Sequence, residues 1–579
     1  MVGLSQLLAE RLQQAFDTLE PGADPALRPS TRPGVDFQAN GALALAKRAG
    51  ARPAEVAAGV VAAAELSDVC DRVEVAPQGF INLTIDDRFL ARCVQTQAAD
   101  DRLGVDPALV PRRVVVDYSS PNVAKEMHAG ILRTTIIGDA LCRMLTFAGH
   151  DVIRENHVGD WGTPFGMLIE HLVDIGEEEG AHELSVGELD VFYKQARTAF
   201  DASPEFQDRS RRRVVLLQSG DPETLRLWRL LVDQSVAYFE EVYTKLGVLL
   251  TRDDVLGESF YNDLLPVVID ELATAGLLVD SDGAKCVFPP GYTNREGEPL
   301  PLIIQKSDGG YGYATSDLAA LRDRFGRLHA DLALYVVGAP QAQHLAMCFD
   351  VAAEVGWVPS SAAAVHVSFG SVLGADRKML RSRAGESVKL VDLLDEAVAR
   401  AGVRVREINP DLDAAAAAMV ARQVGIGAVK YADLSTDRIR DYVFDWDRML
   451  ALEGNTAVYL QYAHARCRSI FRRGDIDPAP YQSGAVPVLL REPAERVLAL
   501  ALLGLGPAVA SVLESWSPHK LCTYLFELAG VYTSFYESCP VLRAEDPAVR
   551  DSRLALCALT ASVLACGLGV LGIEVPDRM

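Results

Sequence analysis

Three stretches of this chain carry residue types suited to a polyphosphate and a charged small molecule. The first is Ser119-Ser120-Pro121-Asn122-Val123-Ala124-Lys125-Glu126-Met127-His128-Ala129-Gly130. Lys125 and His128 offer mobile donors to negative charge, and Asn122 offers both a donor and an acceptor. Gly130 lets the backbone approach a ligand closely. A helix after it would present free N–H groups and a positive dipole end. Taken alone, the same residues would also make a capped turn with a surface lysine. The second stretch is Arg377-Lys378-Met379-Leu380-Arg381-Ser382-Arg383-Ala384-Gly385. Its clustered cations suit a loop that closes over phosphates, or simply a solvated basic loop. The third is Tyr311-Gly312-Tyr313-Ala314-Thr315-Ser316-Asp317-Leu318. With a helix starting near Thr315, Tyr313 falls just before it and Asp317 in its first turn. A carboxylate there can grip a guanidinium or merely stabilise the helix dipole.

The elements around these stretches are legible in part. Val114-Val115-Val116 is a short β-branched run of the kind found in buried parallel strands. After Gly130 the apolar positions Ile136, Ala140 and Met144 switch to helical spacing. Strand, polar loop and helix is how an α/β sheet opens a ligand site. Leu332–Val337 and Val365–Phe369 are further strand candidates, and about 166–301 reads as a mostly helical insertion. Ahead of the sheet, helical patterning ends in the alternating segment Phe80–Ile85, which predicts a small α+β domain over 1–100. From Ala414 onward the pattern is entirely helical.

Composition narrows the class. The chain has 579 residues, 49% hydrophobic and 23% charged, which excludes a largely disordered protein. A net charge of -23 argues against coating nucleic acid by bulk charge but leaves room for a local basic groove. Arg466, Arg468, Arg472 and Arg473 are spaced for one helix and its end and are candidate phosphate contacts. The ten cysteines form no CxxC pair, so neither a structural zinc site nor a disulfide scaffold is expected, and a reducing cytoplasm fits. The apolar runs Leu554–Ile573 and Val497–Leu513 read as buried helices rather than membrane spans.

In this order along one chain, the three stretches resemble the arginyl-tRNA synthetases, a class I aminoacyl-tRNA synthetase family. SSPNVAKEMHAGILRTTIIGD with NHVGDWGTPFGMLIEHL is similar to that family's first signature. YGYATSDLAAL resembles its arginine-binding segment, KMLRSRAGESVKLVDLLDEA its KMSKS loop, and LEGNTAVYLQYAHARCRSIF its anticodon-binding domain. DFQANGALALAK and GFINLTI resemble its N-terminal added domain. The resemblance implies a Rossmann-like α/β catalytic domain over 110–400. An α+β N-terminal domain that contacts the tRNA elbow precedes it, with Phe37, Gln38 and Asn40 as candidate contacts. A helical C-terminal part over 401–579 follows, holding the anticodon-binding domain from about 450.

The implied activity is arginine–tRNA ligation, with ATP as substrate, Mg2+ accompanying ATP, and L-arginine and tRNA(Arg) as partners. The expected protein is a cytoplasmic monomer without membrane contact. By the same resemblance, Ser120 and Asn122 hold the backbone end of arginine, and Tyr313, Asp317 and Gln341 line its side-chain pocket. Lys125, His128, Gly130, Lys378 and Arg381 face ATP. Two positions depart from the family pattern. Arg381 stands for a lysine, keeping the charge but changing its geometry. Ile131 stands where the second histidine of His-x-Gly-His is usual, and isoleucine neither donates nor accepts a hydrogen bond. That change admits an alternative, a duplicated synthetase with altered amino-acid or inhibitor sensitivity, or a catalytically weak tRNA-binding protein.

Overall fold

The computed structural model describes residues 3–176, 189–374, 376–380 and 388–579. Arg381, and with it most of the basic loop, lies outside the described residues.

Four parallel strands form the centre, in the spatial order Ala363–His366, Leu332–Tyr335, Arg113–Asp117, Asp151–Glu155. Val114, Val115 and Val116 are fully buried, as expected for a strand covered on both faces. The winding reverses between Arg113–Asp117 and Leu332–Tyr335. Loops leaving the carboxyl ends of those two strands diverge and open a crevice. The fourth strand starts two residues before the predicted Val365 and stops at His366. Beyond it, Phe369 pairs only as an isolated bridge with Gly338.

The insertion after the second strand carries the helices Pro164–Ile175, Leu189–Ala202, Pro204–Gln218, Pro222–Leu246 and Leu265–Thr274. It is not all helix. Val279–Ser281, Ala284–Val287 and Leu302–Gln305 form an antiparallel sheet. Its first hairpin turns on Asp282 and Gly283, both left-handed (φ 49° and 78°), the backbone that a two-residue turn of this hand requires.

Ahead of the parallel sheet, Leu27–Pro29, Phe37–Ala39, Ile81–Ile85 and Cys70–Val75 make a four-stranded antiparallel sheet backed by helices. Phe37 is buried in it. At the other end, the helix Leu390–Ile408 runs through residue 401 and packs on Ala414–Leu434. Contrary to the all-helical pattern, Tyr442–Val443 adds a short strand parallel to Val372–Leu373. Most of the apolar run Leu554–Ile573 lies in the helix Pro547–Val570, buried against Ala457–Gly474. The run Val497–Leu513 breaks into two helices, Pro493–Leu502 and Leu505–Ser515. All ten cysteines are free.

Buried ion pairs join the parts. Arg496 donates to both carboxylate oxygens of Asp36 at 2.7 Å, tying the helical part to the N-terminal sheet. Arg133, on the helix Leu132–Phe147, pairs with Asp433 at 3.1 Å, and both are almost fully buried. The third pairing lies under the crevice. Arg324, on the helix Tyr313–Gly326, is 1% exposed and donates to Glu155 (2.6 Å) and Asp117 (2.8 Å), the last residues of two adjacent strands. It also stacks over Tyr335 at 4.5 Å.

Removing one partner of such a cluster leaves uncompensated buried charge, at a cost of about 3–5 kcal/mol. Arg324→Met is therefore expected to lower the unfolding free energy from urea denaturation by that much. A change below about 1 kcal/mol would show that the carboxylates are solvated or paired in another way.

Candidate active site

The loop leaving Asp117 does something costly. Ser119, Ser120 and Ala124 all adopt left-handed backbone (φ 71°, 50° and 56°) without being glycine, at roughly 1–3 kcal/mol each. Neighbouring elements hold it there. The Ser119 N–H donates to Thr134 Oγ1, and the Ser120 N–H to Asn156 Oδ1, each at 3.0 Å. The Val123 N–H donates to the Gly159 carbonyl, and the Ala124 N–H to Ser235 Oγ, again at 3.0 Å. Below them, Tyr243 OH accepts from Asn156 Nδ2 (2.9 Å) and lies 2.8 Å from Ser119 Oγ. Burial pushes the Tyr243 phenol up to about 12, so it stays a donor at neutral pH.

Ser120 is exposed, and its Oγ donates to Asp117, so it rides on the Arg324 cluster (3.0 Å). Asn122 is also exposed and lies against Gly159, where any Cβ would sit 2.3 Å from Asn122 Oδ1. Lys125 lies over the Tyr193 ring at 4.5 Å. The His128 ring folds back so that Nδ1 accepts the Gly130 N–H at 3.0 Å, and a Cβ on Gly130 would strike that ring. Burial lowers the His128 pKa, leaving it a neutral acceptor. Ile131 caps the helix Leu132–Phe147 and packs its side chain partly against the core.

The basic loop meets the first stretch through its exit. The Ala129 N–H donates to Val388 O, the Leu390 N–H donates to Met127 O, and Lys389 pairs with the buried Glu126 at 2.8 Å. Lys378 sits on an exposed turn closed by the Gly374 N–H and the Lys378 carbonyl.

The helix Tyr313–Gly326 starts two residues earlier than predicted, making Tyr313 its first residue and placing Asp317 in the second turn. Tyr313 is 82% exposed. The Asp317 carboxylate is held by His344 Nε2 at 2.6 Å, from the helix Ala342–Val355. Gln341, exposed, caps that helix. Asn122, Lys125 and Tyr313 line one cleft of about 1070 Å³. Ser120, His128, Gln341 and Lys378 do not line it, and Asp317 lies one turn below Tyr313.

One lining residue has no counterpart in the sequence reading. Val255–Glu258 runs beside Asn156–Val158, with the Leu256 N–H on Asn156 O and the Glu258 N–H on Val158 O. This carries Glu258 into the cleft. Burial pushes its carboxyl up to about 7, His157 opposes the shift, and the charges of Asp160 and Asp317 add to it. Glu258, Asp263 and Asp308 thus line the cleft together with Lys125 and Lys306.

Three family profiles match the chain: the catalytic domain of class I tRNA synthetases (R) over 95–446, the arginyl tRNA synthetase N-terminal domain over 3–85, and the DALR anticodon-binding domain over 460–579. The chain belongs to the arginyl-tRNA synthetase family. It is 54% identical to the arginine–tRNA ligase of Thermobifida fusca over 99% of both chains, and 48% identical to that of Escherichia coli K12 over the full length of both. The fold matches the Plasmodium falciparum arginyl-tRNA synthetase with a TM-score of 0.85 at 28% identity over both whole chains. This synthetase shares its fold with the Thermus thermophilus enzyme as well, with a TM-score of 0.80 at 24% identity over both whole chains.

In this synthetase Glu258 makes a pH test possible. Its folded pKa lies above the unfolded value near 4.5, so its neutral form stabilises the fold below that value. That contribution is lost as pH rises through about 7. Glu258→Gln, neutral at every pH, should melt increasingly above the parent as pH goes from about 5 to about 8. Parallel melting curves across that range would place Glu258 in solvent.

Proposed function

We infer that the protein is an arginine–tRNA ligase, joining L-arginine to ATP as arginyl-adenylate and passing the arginyl group to tRNA(Arg). The observation that carries the substrate is the cleft itself. Glu258 is held up mainly by burial, and the nearby Asp317 charge adds to that push. A guanidinium between them supplies the missing positive charge, and bidentate pairing suits its planar fork.

In this reading Tyr313, Asp317, Glu258 and Gln341 receive the arginine side chain, and Ser120 and Asn122 receive its backbone end. A carboxylate oxygen of arginine attacks the α-phosphorus, the bond to the β-phosphate oxygen breaks, and pyrophosphate leaves. A hydroxyl of the tRNA 3′-terminal ribose then attacks the arginyl carbonyl and AMP leaves. No side-chain nucleophile is needed, only orientation and charge stabilisation. Lys125, His128, Gly130, Lys378 and Arg381 are assigned to the phosphate side. Ile131 shapes that corner by packing alone.

Mg2+ is assigned to ATP rather than to the protein. The hard ion prefers oxygen ligands, whereas the one convergent group of three His, Cys or acidic donors among the described residues includes a thiol and an imidazole. The N-terminal domain is assigned to the tRNA elbow and the helices from about 450 to the anticodon. Arg468 and Arg472 turn toward Asp577, so phosphate contact there would compete with the chain's own C-terminus. A cytoplasmic monomer without membrane contact completes the reading.

The test is charging of tRNA(Arg) with labelled arginine. The parent should charge arginine alone among a panel of amino acids. A charge-assisted bond is worth about 1.5–3 kcal/mol, so Asp317→Ala should lower kcat/KM for arginine by at least about tenfold with the KM for ATP unchanged. An unaltered KM for arginine would remove Asp317 from the pocket.

A further inference from the structure

The carboxylate assigned to the guanidinium has neighbours that arginine recognition does not require. His344 and Cys348 lie four residues apart on the helix Ala342–Val355, so both project from one face. Cys348 Sγ is 3.7 Å from His344 Nε2, and Asp317 Oδ2 is 2.6 Å from that same nitrogen. All three ligand atoms lie within 4.8 Å of one another. The chain has nine other cysteines, none of which joins such a group among the described residues.

Tetrahedral zinc with ligands at about 2.0–2.3 Å sets its ligand atoms roughly 3.3–3.8 Å apart. The imidazole–thiol spacing already has that value. The imidazole–carboxylate spacing is shorter because a hydrogen-bonded proton holds it. An ion entering would take that proton's place, with a small rotation of Asp317. The donor set is one carboxylate, one imidazole and one thiol, a mixture that selects zinc-class ions over Mg2+ or Ca2+. Access is open, since the Asp317 and His344 side chains are 26% and 32% exposed, while the thiol behind them is buried.

We propose that Asp317, His344 and Cys348 form a binding site for a thiophilic divalent cation of the zinc class. Binding places a metal–sulfur, a metal–nitrogen and a metal–oxygen bond around the ion and leaves one position for water. The proton between His344 and Asp317 and the Cys348 thiol proton go to solvent. A further consequence rests on the assignment of Asp317 to arginine. An ion held there takes the carboxylate away from the guanidinium, so free zinc inhibits charging in competition with arginine.

The experiment titrates the full-length protein with Co2+ alone, following the thiolate-to-cobalt absorption band. The result expected is one Co2+ per chain with that band. Zn2+ should displace it, following the divalent affinity order. Cys348→Ser should lose the band, and His344→Ala and Asp317→Asn should each weaken binding at least tenfold, about 1.4 kcal/mol. X-ray absorption on the zinc-loaded parent should show one sulfur among nitrogen and oxygen neighbours, a readout that needs no variant. Absence of a stoichiometric band in the parent, its persistence in Cys348→Ser, or a zinc shell without sulfur would overturn the proposal. Arginine added to the cobalt protein separates the two claims. Loss of the band supports both, and a band indifferent to saturating arginine keeps the metal site while removing arginine from Asp317.

Discussion

The loop after the first sheet strand turns through three left-handed residues that are not glycine, and the site is built so that this backbone stays where it is. Such a conformation persists only when its surroundings over-determine it. Here the catches come from separate elements: Thr134 on the following helix, Asn156 and Gly159 after the second strand, and Ser235 on a long helix of the insertion. Tyr243 on that same helix closes the network from below. The held backbone fixes where Asn122 faces the cleft, with Ser120 two residues before it, without help from a substrate. Preorganisation of this kind lets binding energy go into catalysis rather than into ordering the site.

The same economy extends outward. Arg324 joins the helix Tyr313–Gly326 to the ends of two strands, so Asp317 and the loop after Asp117 share one buried anchor. Arg133 reaches from the signature helix to Asp433 in the helical part. Glu126 and Lys389 tie the exit of the basic loop to the residues beside His128. Each tie is a charge pair with at least one nearly fully buried partner, and breaking one side leaves the other costly. The helix Ala414–Leu434, which lies within the span of the class I catalytic profile, is thereby tied to the helix Leu132–Phe147 beside the site.

Much of this was legible in local sequence and some of it was not. The run Val114–Val116 and the apolar spacing after Gly130 gave the strand and the helix, because buried parallel strands and helices each have a period. The start of the helix at Tyr313 was missed because Thr315 looks like its cap. In the structure Thr315 is buried and its hydroxyl donates to the Ile304 carbonyl, while Gly312 precedes the helix without a side-chain cap. The hairpin at Val279–Val287 was missed because its strands are short and the first is partly exposed. Glu258, Tyr243 and His344 had no local signal. Their roles arise from contacts to Val158, Ser119 and Asp317, up to 124 residues away, which no spacing rule encodes. The resemblance supplied the candidate Asp317, but only geometry brings it beside a second carboxylate and an imidazole.

With every catch supplied by the protein itself, the signature loop is fully formed before any substrate arrives. Amide hydrogen exchange at Ser119, Ser120, Val123 and Ala124 in the free protein addresses it directly. All four N–H groups have partners inside the protein. They should exchange as slowly as the central strand Arg113–Asp117, with no further slowing when arginine and ATP are added. Rapid exchange in the free protein, with protection only after substrate binds, would contradict the claim and show that the left-handed turn is created by the ligand.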